Sequence, residues 1–578
     1  MGQNLKTKPG NCINNHRKQK TARKSCDITY CLSLHIGYDL AMLPPEPARK
    51  RHHNQLILAT LLLILVATSS LRIVIIKNKT TMEYDEAISY LAATCNQSKF
   101  NHADFSPLPK AASAWKQYLS VEEPFCFDQI RLGLTTTDVH PPLYFWLLHL
   151  WVMAFGVHLW TGLVLNILIA VFTTTALFML ARHILQNSYE ALLVTASYAL
   201  NPSIILISKE ARQYDLLILF LILTVWQIHI LIDNKPIQWR HGILLTLVLA
   251  AGNLTHYLFF LTVPLACFIY AIWQMKNRRH LWLVLLPILG SYGLAWLFNP
   301  EFWVNINRQS ERFVSPTWSE FSTRLGRTLA AFATFLYVVL PLIMLLLAGS
   351  YIAWRHRERL RSYLHSINFQ GWRILFFMVW FGGIIVGMYL TFRTPIHTMG
   401  SSKYLSMVWP FLAFLPVFLL RLTQYRRSVL LYLVIIPLVW LIIFPAQMFL
   451  TRLPSPTPQL ANAKLILMDS PARGVFFPLL WHVPDETLVI AAYQEQLLAK
   501  TADWLDDLPD DTAFINLNDP PNTQEQGESL LKLLEVHGYT VDASPQKITT
   551  ITTAYDVYTL YPLISKQYKP NARKSHLF

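Results

Sequence analysis

Uninterrupted apolar stretches of about 20 residues recur along most of this chain, and that feature constrains the fold more than any other. In hydrocarbon every backbone N–H and C=O must be paired within the protein, which leaves only helices and closed barrels. The stretches cover 55–76, 142–157, 159–182, 189–207, 213–233, 241–275, 280–298, 328–353, 371–392, 403–421 and 428–449. They are continuous and do not alternate with period two, so a barrel is excluded. With 53% hydrophobic and 14% charged residues among 578, the chain reads as an all-α polytopic membrane protein of about 11 transmembrane helices.

Loop charges set the expected sidedness. The segment 241–275 is long enough for one tilted helix or two short ones. Counting it once puts the basic loops at 276–279, 355–361 and 421–427 on the side of the N-terminal tail, as orientation by positive loops requires. Polar segments 77–141, 299–327 and 393–403 then share the outer face, whereas the loop carrying Glu210 and Arg212 falls on the inner one. Residues 1–53 hold ten Lys/Arg against three acids and read as a basic, disordered cytoplasmic tail. The membrane domain is expected over 54–450 and a small outer-face α/β domain over 451–578. Its expected strands are Lys464–Met468, Thr487–Ala491, Ala513–Leu517 and Tyr555–Leu560, with helices near Gln494–Leu505 and Ser529–His537. The net charge of +15 reflects membrane orientation and is no argument for nucleic acid. Six cysteines are too few for a disulfide scaffold, and no CxxC or Cys/His spacing suggests a zinc site.

The residues able to do chemistry gather beside the first spans. The loop after span one opens with Glu83-Tyr84-Asp85-Glu86-Ala87 and closes with Asp138-Val139-His140-Pro141-Pro142-Leu143-Tyr144. Ionisable groups at a membrane boundary are costly unless paired or used. A carboxylate with a nearby imidazole and a cation can deprotonate a hydroxyl and bind an anionic leaving group. The plainer reading of Asp85 and Glu86 is a solvated helix start facing the positive end of the dipole. Three further sets have equally plain alternatives. Lys403-Tyr404 could be an interfacial anchor, Glu210-Ala211-Arg212 a buried ion pair, and His256-Tyr257 an interhelical hydrogen-bonding pair. Cys95 and Cys126 are the only cysteines placed outside, and a disulfide between them is expected.

These motifs, in this order, resemble the polyprenyl-phosphate-sugar glycosyltransferases of the GT-C class, nearest to glycosyltransferase family 39, the protein mannosyltransferase type. Glu83-x-Asp85-Glu86-Ala87, His140-Pro141-Pro142-Leu143-Tyr144-Phe145, Asn201-Pro202-Ser203 with Glu210-Ala211-Arg212-Gln213-Tyr214, His256-Tyr257 and Lys403-Tyr404-Leu405 carry the resemblance, over roughly 55–450. Lys403 stands where the family pattern has Arg, and Asn166 lies in a helix where it often has Arg. The resemblance implies transfer of a sugar from a polyprenyl-phosphate to a hydroxyl acceptor (lipid, glycan or protein) on the outer face, with inversion. It casts Asp85 as general base, Glu86 as its orienter, and His140, Lys403 and Arg212 as compensation for the phosphate. Arg212 drops out if its loop is at the inner face. Glu210, His256, Tyr257, Tyr404 and Tyr144 are the remaining candidates for substrate binding. The implied partners are the bilayer, a polyprenyl-phosphate sugar and a hydroxyl acceptor. No cofactor is implied, and the residues neither require nor exclude a divalent metal. A secondary transporter or lipid flippase using the same acids, and a non-catalytic scaffold, are the competing classes.

Overall fold

The computed structural model describes residues 46–106, 108–138, 140–233, 239–275, 281–311, 317–319, 322–323, 371–391, 403, 406–422, 460, 463–469, 473–499, 512–517, 530, 532–536, 539–541, 546–549 and 557–565. Tyr404, the expected spans at 328–353 and 428–449, and most of the basic tail lie outside the described residues. Two units are distinguished, residues 1–62 and 63–578. The described part of the first is the opening half of α1 (Glu46–Asn78), a helix of 33 residues and so about 50 Å long.

The second unit is mostly helical. After α1 come α2 (Tyr84–Ala93), the two-residue strand β1 (Lys110–Ala111), α3 (Phe127–Thr137) and α4 (Leu143–Phe155). The bundle continues through α5 (Thr161–Leu185), α6 (Ser188–Ala199), α7 (Pro202–Ile207), α8 (Tyr214–Asp233), α9 (Trp239–Asn253), α10 (Tyr257–Gln274), α11 (Trp282–Phe298), α12 (Phe302–Glu311) and α13 (Gly371–Thr391). By length and composition, four helices among the described residues suffice to cross a membrane: 52–78 within α1, and α5, α8 and α10. Phe172, Leu247, Leu289 and Trp296 point outward and are more than half exposed, as a lipid-facing surface requires.

Three expected spans differ in form: 142–157 is short, 189–207 breaks at Leu200-Asn201 into α6 and α7, and 241–275 breaks into α9 and α10. The run 142–157 forms a shorter helix than a full span needs. It is α4, 13 residues between Pro142 and Gly156, about 20 Å long. At its start the Leu143 N–H donates to Leu254 O at 2.9 Å. Near its end Trp151 Nε1 donates to Thr161 O at 2.8 Å, where α5 begins. Its inner face carries Tyr144, Phe145, Leu148 and Val152, buried against the loop over 82–134 and against residues 460–491 rather than lipid. The run 241–275 is the opposite case. It splits at Leu254-Thr255-His256 into α9 and α10, a hairpin that returns along itself.

At the end of the bundle away from Asp85, Asp233 at the close of α8 accepts from Arg373 of α13 at 2.8 Å and lies 3.7 Å from His183 near the close of α5. Helices α5 and α8 therefore both run away from Asp85. The loop joining α7 to α8 returns to Asp85's end, opposite to where the hydropathy count put it.

The C-terminal residues build a sheet in the order β1-β3-β2-β4-β7-β5, with β6 also on β7. Its strands are β2 (Leu465–Met468), β3 (Leu488–Ala491), β4 (Thr512–Leu517), β5 (Tyr539–Val541), β6 (Gln546–Thr549) and β7 (Val557–Ser565). β2 is parallel to β3 and β4, and β7 is antiparallel to β4. The helix α14 (Arg473–Leu480) connects β2 to β3 and packs on α2. The expected strands are present, and one edge comes from far away: β1 of the early loop pairs antiparallel with β3, Lys110 opposite Val489.

Candidate active site

Helix α2 begins where it does because Glu83 caps it: its N–H donates to Glu86 Oε2 at 3.1 Å, and acids fill the first turn. Consecutive acids on that turn point different ways. The Glu86 carboxylate is fully buried and accepts from Lys79 Nζ at 2.5 Å. Burial outweighs Lys79 and pushes its pKa up to about 7. Asp85 is about a third exposed, with Lys403 Nζ 3.1 Å from Oδ2 and Arg212 Nη2 3.8 Å from Oδ1. Its burial would raise the pKa, but Arg212 and then Lys403 overcome that and hold the carboxyl below its ordinary range.

The α7–α8 loop delivers Arg212. Asn201 caps α7 by accepting from Ser203 N at 2.9 Å, and Pro202 fits the first turn. Beyond α7, Asn166 Nδ2 donates to Glu210 O at 2.6 Å, and Tyr144 OH holds Asn166 Oδ1 at 3.1 Å. Gly162 makes room for the loop: a Cβ there would lie 2.4 Å from Ala211 Cβ. Underneath, Arg72 Nε donates to Ser208 Oγ at 2.9 Å and Ser208 Oγ to Asp215 Oδ2 at 2.7 Å.

So held, Arg212 Nη1 donates to Ser89 Oγ at 3.3 Å and Nη2 to His140 Nε2 at 3.2 Å. A guanidinium can only donate. His140 Nε2 therefore accepts from Arg212, and the other ring nitrogen, Nδ1, lies 2.9 Å from Asp138 Oδ1. Arg212 loses affinity for its proton through burial but gains more from Asp85 and its other anionic neighbours, so its pKa moves up. Lys403 completes the cluster, 2.5 Å from Glu210 Oε2.

Asp85, His140, Glu210, Arg212 and Lys403 thus meet in one cluster, while Glu86 turns to Lys79. His256 sits one layer back, its ring 6.4 Å from that of His140. It caps α10 by accepting from Leu258 N at 3.0 Å, and burial, His140 and Arg212 push its pKa down to about 3. Tyr144 is fully buried behind the loop, and Tyr257 packs on Phe302, with ring centres 4.9 Å apart. Sequence reasoning passed over Asp138, Ser89, Lys79 and Arg72. An arginine inside an otherwise apolar span was a usable signal for Arg72. Asp138 stood in the quoted motif, but its partner could not be read there.

Comparison with known proteins meets the same region. Residues 139–303 match the family model described as dolichyl-phosphate-mannose-protein mannosyltransferase. The chain resembles that family through its central motifs. The matched stretch holds His140, Tyr144, Glu210, Arg212, His256 and Tyr257, while Asp85 and Lys403 lie outside it. Among solved structures, ArnT from Cupriavidus metallidurans bound to undecaprenyl phosphate is 12% identical, with TM-score 0.43 over 88% of this chain and 98% of that one. The Archaeoglobus fulgidus oligosaccharyltransferase complex with Zn and sulfate is 10% identical, with TM-score 0.43 over 86% of this chain and 73% of that one. No curated protein matches.

Proposed function

We propose that the protein is a membrane glycosyltransferase that moves a sugar from a polyprenyl-phosphate to a hydroxyl acceptor at the outer face, with inversion. The observation that carries this reading is Asp85, an ionised and partly exposed carboxylate between Arg212 and Lys403 at one end of an apolar bundle. The donor phosphate takes the two cations. As it does, they compensate Asp85 less, and the carboxylate becomes more basic when an acceptor must lose its proton. Asp85 then removes the hydroxyl proton, the acceptor oxygen attacks C1, and the bond from C1 to the phosphate oxygen breaks. The leaving phosphate keeps the electron pair, stabilised by Arg212 and Lys403. His140, held by Asp138, orients Arg212. Glu210 holds Lys403. The step invokes no cofactor. A carrier mechanism is less well supported, since Asp85, Asp138 and Glu210 gather at one end of the bundle instead of along a path through it.

The same reading orients the chain with eleven crossings, α4 excluded and α9 and α10 counted separately. The N-terminal tail is cytoplasmic and residues 451–578 lie outside. Purified protein in detergent, given a panel of polyprenyl-phosphate sugars and hydroxyl acceptors, should release polyprenyl phosphate with one of them. Asp85→Asn should retain folding and lose about 10²–10⁴-fold in rate. Transfer by Asp85→Asn at half the wild-type rate or better would remove Asp85 from the reaction.

A further inference from the structure

Helix α14 lies directly on α2, the helix that begins with Tyr84 and Asp85, and the contact is closer than side chains normally allow. A Cβ at Gly474 would stand 2.6 Å from Cδ2, Cε2 and Cζ of the Tyr84 ring, all three at once. Gly474 lies in the first turn of α14 and is buried, and its missing side chain has a steric use: the ring of Tyr84 rests on the bare backbone of α14. The contact is not isolated. Phe477 of α14 packs on Phe100, with ring centres 4.8 Å apart, and both are fully buried. The Ala112 N–H donates to Thr487 O at 2.8 Å, extending the β1–β3 pairing, and Lys116 Nζ reaches Asp485 Oδ1 at 2.7 Å.

We propose that Gly474 is a positioning residue: through its size-matched contact with Tyr84, α14 fixes where the first turn of α2 presents Asp85 to Arg212 and Lys403. The C-terminal sheet is then part of the catalytic apparatus, and no mere appendage. The inference rests on the proposed sugar transfer for its kinetic readout, but the contact itself can be tested without it. A methyl at position 474 must push Tyr84, and with it the adjacent Asp85, by a few tenths of an ångström or more. Displacements near 1 Å at a reacting group cost up to ~10²-fold in rate.

The experiment is a double-mutant cycle in the full-length protein in detergent, with Gly474→Ala, Tyr84→Leu and both together. It reads kcat and KM for transfer, and amide hydrogen exchange of residues 84–93. Gly474→Ala should lower kcat at least ~10-fold with donor KM changed less than ~3-fold, and should speed exchange in the first turn of α2. In the Tyr84→Leu background, where the ring is gone, the same substitution should cost less than ~2-fold and leave exchange unchanged. If Gly474→Ala does not fold but the double variant does, the steric coupling is established by that rescue. Equal losses from Gly474→Ala in both backgrounds, or none in either, would overturn the proposal. If the wild-type protein transfers no sugar, the functional reading fails, and the exchange data alone still decide whether Gly474 and Tyr84 are coupled.

Discussion

Replacing Arg212 by alanine tests the site most directly, because three separate consequences follow from one side chain. The guanidinium spans Ser89 Oγ at 3.3 Å, His140 Nε2 at 3.2 Å and Asp85 Oδ1 at 3.8 Å, and is 5% exposed. Losing a preorganised donor aimed at a developing anion typically costs 10²–10³ in kcat, about 3–4 kcal/mol of transition-state stabilisation. Arg212→Ala should therefore lower kcat by about that factor. Arg212→Lys should fall between, since one ammonium keeps the charge but cannot fork to Ser89 and His140 together. The third consequence is in the pH profile. Arg212 is the leading cation holding Asp85 below the ordinary carboxylate range. The base works ionised, so the rate falls as pH drops through its pKa. Removing Arg212 raises that pKa, and the acidic limb of kcat/KM must move to higher pH. The assay is initial-rate release of polyprenyl phosphate across about pH 3–8. A variant within about twofold of wild type, or an acidic limb that stays put or moves down, would refute the reasoning.

Gly162→Ala should displace the Arg212 loop, because its Cβ would lie 2.4 Å from Ala211 Cβ; kinetics should show a loss that Ala211→Gly in the same chain relieves. Cys95 and Cys126 are disulfide-bonded with Cα atoms 6.4 Å apart and a sequence separation of 31. Replacing both by serine should therefore lower stability by roughly 3–4 kcal/mol in the chain-entropy model, read as a lower Tm for α2 and its surroundings. A topology reporter inserted between Asn234 and Gln238 should face the same side as the N-terminal tail, and one after Phe578 the other. A first reporter on the side away from the tail would mean that α4 crosses, and both reporters on the tail's side would mean that α9 and α10 make a single crossing.

The sequence alone determined what is local. Apolar runs of helical length, the acid-rich start of α2 and the β-rich stretches after residue 463 follow from near neighbours in the chain, and among the described residues α5, α8, α2 and β2–β4 lie where they were expected. Hydropathy, however, reports only that a segment avoids water. It cannot tell lipid from the interior of a folded protein. Thus α4 reads as apolar throughout, although one of its faces is buried by the early loop and by residues 460–491. Helices α9 and α10 looked like one span because nothing but Leu254-Thr255-His256 separates them, and only packing shows that the chain turns back there. The hydropathy count put Arg212 at the other end of the bundle from Asp85, and the structure brings the two within 3.8 Å. Tertiary structure also decided the partners. Asp85 and Lys403 are 318 residues apart, and β1 finds its strand partner in β3 near residue 489. Ion pairs and strand edges at such separations depend on how many segments return to the same end. That number is set by which apolar faces find protein instead of lipid.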